Sequence, residues 1–233
     1  MLALISDIHG NLPALEAVVE HAQAQGCTHF LSLGDVAGYY AQPGECIDLL
    51  RELGVPNIMG NHDGYIAYDE DCPRSRVVSR IIAYQKRILT PGQVDWLRAS
   101  MDLLREGEQL FVHGGPEDPR DQYLYAISED RIPDGVRLLC SGHTHVQILA
   151  DFSGKVYCNP GSVGQPRDGD CRAAYAILDD GQIALQRVAY DIDRTAAAMK
   201  AAGFESYCYE NLYLGAQIGG RIDRIKILPH SDE

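Results

Sequence analysis

The sequence predicts an α/β fold whose functional groups gather at the carboxyl ends of its strands. Three observations carry this reading. Over the first 60 residues, short apolar runs alternate with amphipathic helical patterns. Beyond about residue 100, short strand-like runs separated by turn residues take over. Five polar segments built from Asp, Asn, His and Gly each follow directly on one of the runs.

Residues 2–6 read as a buried strand. Asn11 and Pro13 then mark a helix start, with Leu15, Val18, Val19 and Ala22 as its apolar stripe. A second strand is expected over 28–33, a second helix over 44–53 and a third strand over 55–59. Strands alternating with helices imply parallel β-α-β units. The stretch 64–100 reads as mostly helical, around 76–89 and 92–99. Strands are expected at 109–112, 136–141, 146–150, 155–158, 173–178 and 183–188. Ser153-Gly154 and Asp179-Asp180-Gly181 suggest hairpins between neighbours in this series. From Asp191 an Ala-rich and a Tyr-rich segment read as terminal helices, about 191–220. With no repeat, linker or composition break, residues 1–233 read as one domain.

Composition narrows the function. Of the 233 residues, 45% are hydrophobic and 23% charged, which excludes disordered, collagen-like and coiled-coil classes. The longest apolar stretches, 2–5 and 136–140, are far shorter than the roughly 18 residues of a membrane span. No basic segment precedes the first apolar run, so no signal peptide is expected. Seven scattered cysteines without a C-x-x-C pair argue against disulfides and a thiolate zinc site, and for a reducing, cytoplasmic setting. Thirty-three acids against 20 bases give a formal charge of −13. Such a surface repels nucleic acid and anionic lipid. An anionic substrate then requires local inversion of the potential, for which bound divalent cations are the usual means.

The five segments are Asp7-Ile8-His9-Gly10-Asn11, Gly34-Asp35, Gly60-Asn61-His62-Asp63, His113-Gly114-Gly115 and Gly142-His143-Thr144-His145. Five of the eight histidines lie in them; His21, His29 and His230 lack such a context. Open α/β sheets bind ligands outside the carboxyl ends of their strands, so these loops can converge. Carboxylate, amide oxygen and imidazole form a borderline donor set suited to Mn²⁺, Fe, Co²⁺, Ni²⁺ or Zn²⁺. Seven ligands exceed one tetrahedral ion but suit two ions sharing a carboxylate.

In their order and spacing these segments resemble the calcineurin-like metallophosphoesterases, over about two thirds of the chain. Size, and the segment from Asn159-Pro160-Gly161 to Pro166-Arg167, resemble the small bacterial phosphodiesterase branch. The resemblance implies a four-layer α/β/β/α sandwich. It implies that Asp7, His9 and His145 hold one metal, that Asn61, His113 and His143 hold the other, and that Asp35 bridges both. Two divalent transition-metal ions follow, manganese preferred over iron, zinc, nickel or cobalt. His62 is then no ligand and faces the scissile phosphate. Two such ions hold and acidify a bridging water, whose hydroxide attacks phosphorus in line while His62 stabilises charge or protonates the leaving oxygen.

Around this set, Asp63 is expected to cap the next helix or to orient His62, the second being favoured and placing it with His62 in the catalytic group. Asn11 is expected to cap its helix. Ser162 is not in a G-x-S-x-G elbow and is not expected to act as a nucleophile. Tyr39 and Tyr40 suit either the core or a substrate ring. Arg76, Arg80 and Arg87 share a helix face, read as solvated or as a rim for phosphorylated substrate. The substrate expected is a small phosphate ester, a diester before a monoester such as a phosphoprotein or a nucleoside polyphosphate. A non-catalytic protein-binding scaffold is the remaining reading, disfavoured because no ligand is missing.

Overall fold

Alternation along the strands builds the fold. In the computed structural model, which describes residues 1–229, the elements in chain order begin with β1 (Leu2–Ile5), α1 (Leu12–Ala24), β2 (His29–Ser32) and α2 (Pro43–Glu52). They continue with α3 (Asn61–Ala67), α4 (Arg76–Ile88), α5 (Pro91–Arg98), β3 (Leu104–Glu106), β4 (Gln109–Phe111) and β5 (Ala126–Ile127). Then come β6 (Leu138–Cys140), β7 (Ile148–Phe152), β8 (Lys155–Asn159), β9 (Ala173–Asp179), β10 (Gln182–Val188), α6 (Ile192–Ala201) and β11 (Lys226–Ile227). Two sheets result, in the orders β10-β9-β1-β2 and β3-β4-β6-β8-β7, with β11 and β5 as a separate pair. β1 and β2 run parallel, joined by α1, as the β-α-β pattern requires; β4, β6 and β8 are also mutually parallel.

Ala3 and Ile5 of β1 join a cluster with Leu15, Val18 and Ala22 of α1 and Ile47 of α2. Leu4, one residue out of phase, faces the second sheet together with Leu31, Phe111, Leu138 and Cys140. A strand buried on both faces needs this division, since its side chains alternate. Leu110, Leu139 and Tyr157 occupy the outer face of the second sheet, against Leu124, Ile127, Ile132 and Val136. That cover includes a 3-10 turn (Glu129–Arg131) and β5.

Other expectations shift locally. The strand expected over 55–59 reduces to two single bridges, Ser32 with Asn57 and Ile58 with Met101. Pro56 lacks the amide hydrogen that a continuous ladder needs. Asn61, His62 and Asp63 form the first turn of α3 instead of a free loop. The Tyr-rich terminal segment is two 3-10 turns, Ser206–Cys208 and Glu210–Leu214, after the Ala-rich α6. Both hairpins form, β7–β8 and β9–β10. Among the described residues no helix is long and apolar enough to cross a membrane. His230 lies outside the described residues.

Candidate metal centre

The parallel strands deliver their next residues to one point. Asp7 and His9 follow β1, Asp35 follows β2, His113 follows β4, and His143 and His145 follow β6. The loops are sewn together by main-chain bonds: Asp7 N to Gly34 O at 2.9 Å, His9 N to Asp35 O at 2.9 Å, and Gly142 N to His113 O at 2.8 Å. Asp7, His9, Asp35, His143 and His145 all adopt the left-handed region, with φ of 54°, 55°, 57°, 65° and 61°. Non-glycine residues held there cost on the order of 1–3 kcal/mol each, and such residues cluster at functional sites. Gly60 permits a close approach, since a Cβ there would lie 2.1 Å from Asp35 Oδ1.

Three imidazoles are oriented in the same way. His9 Nδ1 meets Ala37 O at 2.9 Å, His113 Nδ1 meets Leu33 O at 2.8 Å, and His145 Nδ1 meets Gln165 O at 2.7 Å. A carbonyl only accepts, so each Nδ1 carries a hydrogen and each Nε2 faces inward, with a lone pair there whenever the ring is neutral. His9 Nε2 and His145 Nε2 are 3.1 Å apart, as are His113 Nε2 and His143 Nδ1. His143 is backed by Tyr123, its ring stacked at 3.7 Å between centroids.

The carboxylates divide their oxygens. Asp7 Oδ2 accepts from Ser6 Oγ (2.7 Å) and His143 N (3.0 Å), leaving Oδ1 at 3.2 Å from His145 Nε2. Asp35 Oδ1 accepts from His62 N at 2.8 Å, while Oδ2 lies 3.3 Å from His113 Nε2 and 3.7 Å from His9 Nε2. Asp35 thus touches both halves of the cluster. Burial raises the Asp7 carboxyl, but the neighbouring His145 and His113 together outweigh it and hold Asp7 well below the usual range. Burial lowers the His113 imidazole, yet the Asp35 charge beside it prevails and raises it to about 10. Both shifts express an anionic pocket calling for positive charge.

Three groups of donors can hold a cation: Asp7, His9 and His145; Asp35, His113 and His143; and His9, Asp35 and His62, the donor atoms of each lying within 4.8 Å of one another. Asp7 Oδ1, Asn61 Oδ1, His62 Nδ1 and His143 Nε2 are buried without a hydrogen-bond partner. Buried polar atoms normally have partners, so orphaned donors of this chemistry fit divalent transition metals.

His62 and Asp63 part company. Burial drives the His62 imidazole down to about 4, so it is neutral near pH 7. Asp63 accepts from the amides of Asp35 (2.9 Å), Ala37 (3.0 Å) and Gly60 (3.4 Å) and from Asn57 Nδ2 (3.3 Å). None of these bonds reaches the His62 ring; Asp63 caps the first turn of α3 and pins the Asp35 loop. Asn11 caps α1 through Ala14 N, and Ser162 Oγ donates to Asp7 O at 2.7 Å, a structural role for each. Tyr40 is core, whereas the Tyr39 ring sits 4.6 Å from His9 and 5.0 Å from His62.

Arg80 of the basic helix face pairs with Glu205, and Arg74 and Lys86 beside it pair with Asp121 and Asp69. The groups the sequence reading missed are Gln165, Gln85 and Tyr123. Gln85 accepts from Gly38 N and donates to Tyr40 O, fixing the loop under His9. No motif marks an amide that acts through backbone groups.

Fold and site together define a metal-dependent phosphoesterase. The chain belongs to the calcineurin-like phosphoesterase superfamily, whose domain matches residues 1–181. It is similar to a metallophosphoesterase from Sphaerobacter thermophilus, with 31% identity, 92% of this chain and 99% of that one covered, and a TM-score of 0.80. It is 32% identical to the uncharacterized protein MJ0912 of Methanocaldococcus jannaschii, over 92% of this chain and 98% of that protein. It is 29% identical to the phosphodiesterase YfcE of Escherichia coli, over 79% of this chain and 90% of YfcE.

Proposed function

We propose that the protein hydrolyses small phosphodiesters at a two-metal centre. The observation that carries this is the pair of donor groups meeting at Asp35. In this reading Asp7, His9 and His145 hold one ion, Asn61, His113 and His143 the second, and Asp35 serves both. Two divalent cations, manganese preferred, supply Lewis acidity and an activated water. Histidine and amide ligands are neutral, so the centre keeps net positive charge within a chain of formal charge −13. The neutral His62 imidazole, beside Tyr39, donates a hydrogen bond to the leaving oxygen and stabilises its developing charge. Similarity to the phosphodiesterase YfcE supports the choice of a diester.

The chain acts as one unit in this reading, since Thr195 Oγ1 of α6 donates to Asn11 Oδ1 at 2.7 Å and Arg194 pairs with Glu16. A cytoplasmic setting is proposed with it, consistent with seven unbridged cysteines.

A second reading, phosphomonoester hydrolysis, is favoured by one observation: Arg167 lies against Tyr39. The deciding experiment measures metal content and compares kcat/KM for a monoester and a diester with the same leaving group, metal and pH. Two ions per chain and preference for the diester are expected. A tenfold preference for the monoester, about 1.4 kcal/mol in transition-state binding, would reverse the substrate choice.

A further inference from the structure

Arg167 is the one arginine in the buried set among the described residues, with 4% of its surface exposed. Its guanidinium bonds Gln165 Oε1 twice, through Nε at 2.9 Å and Nη2 at 2.7 Å. Among the described residues no carboxylate lies within ion-pair distance of it, while the exposed Arg74, Arg80, Arg98 and Arg194 each have one. A buried cation without a counter-charge is expensive, and proteins ordinarily pair it.

Its place is held from four sides. Arg167 N donates to His145 O at 3.2 Å, and Asp223 N donates to Arg167 O at 2.7 Å. Gln165, the residue whose carbonyl orients the His145 ring, receives the guanidinium on its side chain and donates to Tyr40 at 2.9 Å. Cζ sits 5.3 Å over the Tyr39 ring, the same ring that abuts His9 and His62. The charge is felt at His62 and His145, whose protonation it opposes.

We propose that Arg167 is the anion-binding residue of this site, contacting a non-bridging oxygen of the scissile phosphoryl group. This rests on the phosphoesterase reading above. During hydrolysis the water oxygen bonds to phosphorus, the ester P–O bond breaks, and a proton passes to the departing alkoxide. Between these events the phosphoryl group carries more negative charge than the monoanionic diester. A fixed guanidinium therefore binds the transition state more tightly than the ground state, which raises kcat more than it lowers KM. Gln165 is its positioning residue.

The test uses the metal-loaded protein, Arg167→Met and Arg167→Lys. Metal content and unfolding midpoint are measured first, then kcat and KM for a diester, then the affinity for inorganic phosphate by calorimetry. Arg167→Met should keep both metals, lose about 10²-fold in kcat with KM changed less than threefold, and bind phosphate at least tenfold more weakly; Arg167→Lys should fall between it and the wild type. Unchanged phosphate affinity overturns the proposal, whether or not kcat falls, and so does loss of metal in proportion to activity. If Arg167→Met does not fold, Arg167→Lys alone decides by the same readouts. A wild-type protein that cleaves no ester overturns the phosphoesterase reading instead, and the phosphate titration, which needs no turnover, still decides the anion site.

Discussion

His9 and His145 face each other with their Nε2 atoms 3.1 Å apart, and neither carries a hydrogen there. Both rings spend their Nδ1 hydrogens on the carbonyls of Ala37 and Gln165. Asp7 Oδ1, 3.2 Å from His145 Nε2, adds a third electron-rich atom without a donor. Such a convergence is repulsive until a cation is shared between the lone pairs. Folding therefore brings together groups that only metal binding reconciles.

Divalent metal should accordingly stabilise the protein. A ligand at a hundredfold its Kd adds about 2.7 kcal/mol, which for a chain of this size raises the unfolding midpoint by about 5–10 °C per site. Calorimetric scans after chelation and after manganese addition check this. Equal midpoints in the two scans would contradict a metal-holding role for these residues.

Asp35→Asn should weaken both sites together. Asparagine tolerates the left-handed backbone that Asp35 adopts (φ 57°), so the loop survives and the loss is electrostatic. A neutral amide between His9 and His113 replaces one shared negative charge, and affinity for both ions should fall more than tenfold. Metal analysis by mass spectrometry, alongside turnover, reads this directly. A variant that lost only one ion would show that Asp35 serves a single site.

His62→Gln should lower kcat by about 10²–10⁴-fold, the usual contribution of a general acid or base, while both metals stay bound. The alternative is concrete, because His62 also lies within 4.8 Å of His9 and Asp35 in donor-atom separation. Loss of one equivalent of metal in this variant would make His62 a ligand and not a hydrogen-bond donor to the leaving oxygen.

Much of this centre was legible because its chemistry lies in residue type and order. Asp7, His9, Asp35, His113, His143 and His145 each stand within five residues of the end of the preceding strand, and strand ends follow from alternation. What stayed hidden acts through the backbone or through long-range packing. The carbonyls of Leu33, Ala37 and Gln165 that set three imidazole tautomers have no sequence signature, since every residue has a carbonyl. Tyr123 meets His143 from a loop 20 residues away with no pattern to announce it. Arg167 was visible as a residue, but its burial without a carboxylate depends on how Gln165, Tyr39 and Asp223 fold around it.

Asp63→Ala separates a supporting role from a chemical one. The carboxylate accepts from the amides of Asp35 and Ala37, both in the loop that presents Asp35. Burial and the Asp35 charge push Asp63 up to about 6, so it remains mostly ionised at neutral pH. Alanine strands two buried N–H groups at about 1–3 kcal/mol each and frees the strained Asp35 backbone. Stability should fall by about 2–6 kcal/mol, with metal affinity falling too, while Asp63→Asn, which keeps one acceptor oxygen, should lose less of both. Denaturant midpoints and metal titration measure the two effects. If Asp63→Ala kept wild-type stability and both metals yet lost turnover, Asp63 would belong beside His62 in the chemistry, as the sequence alone suggests, and not beneath Asp35.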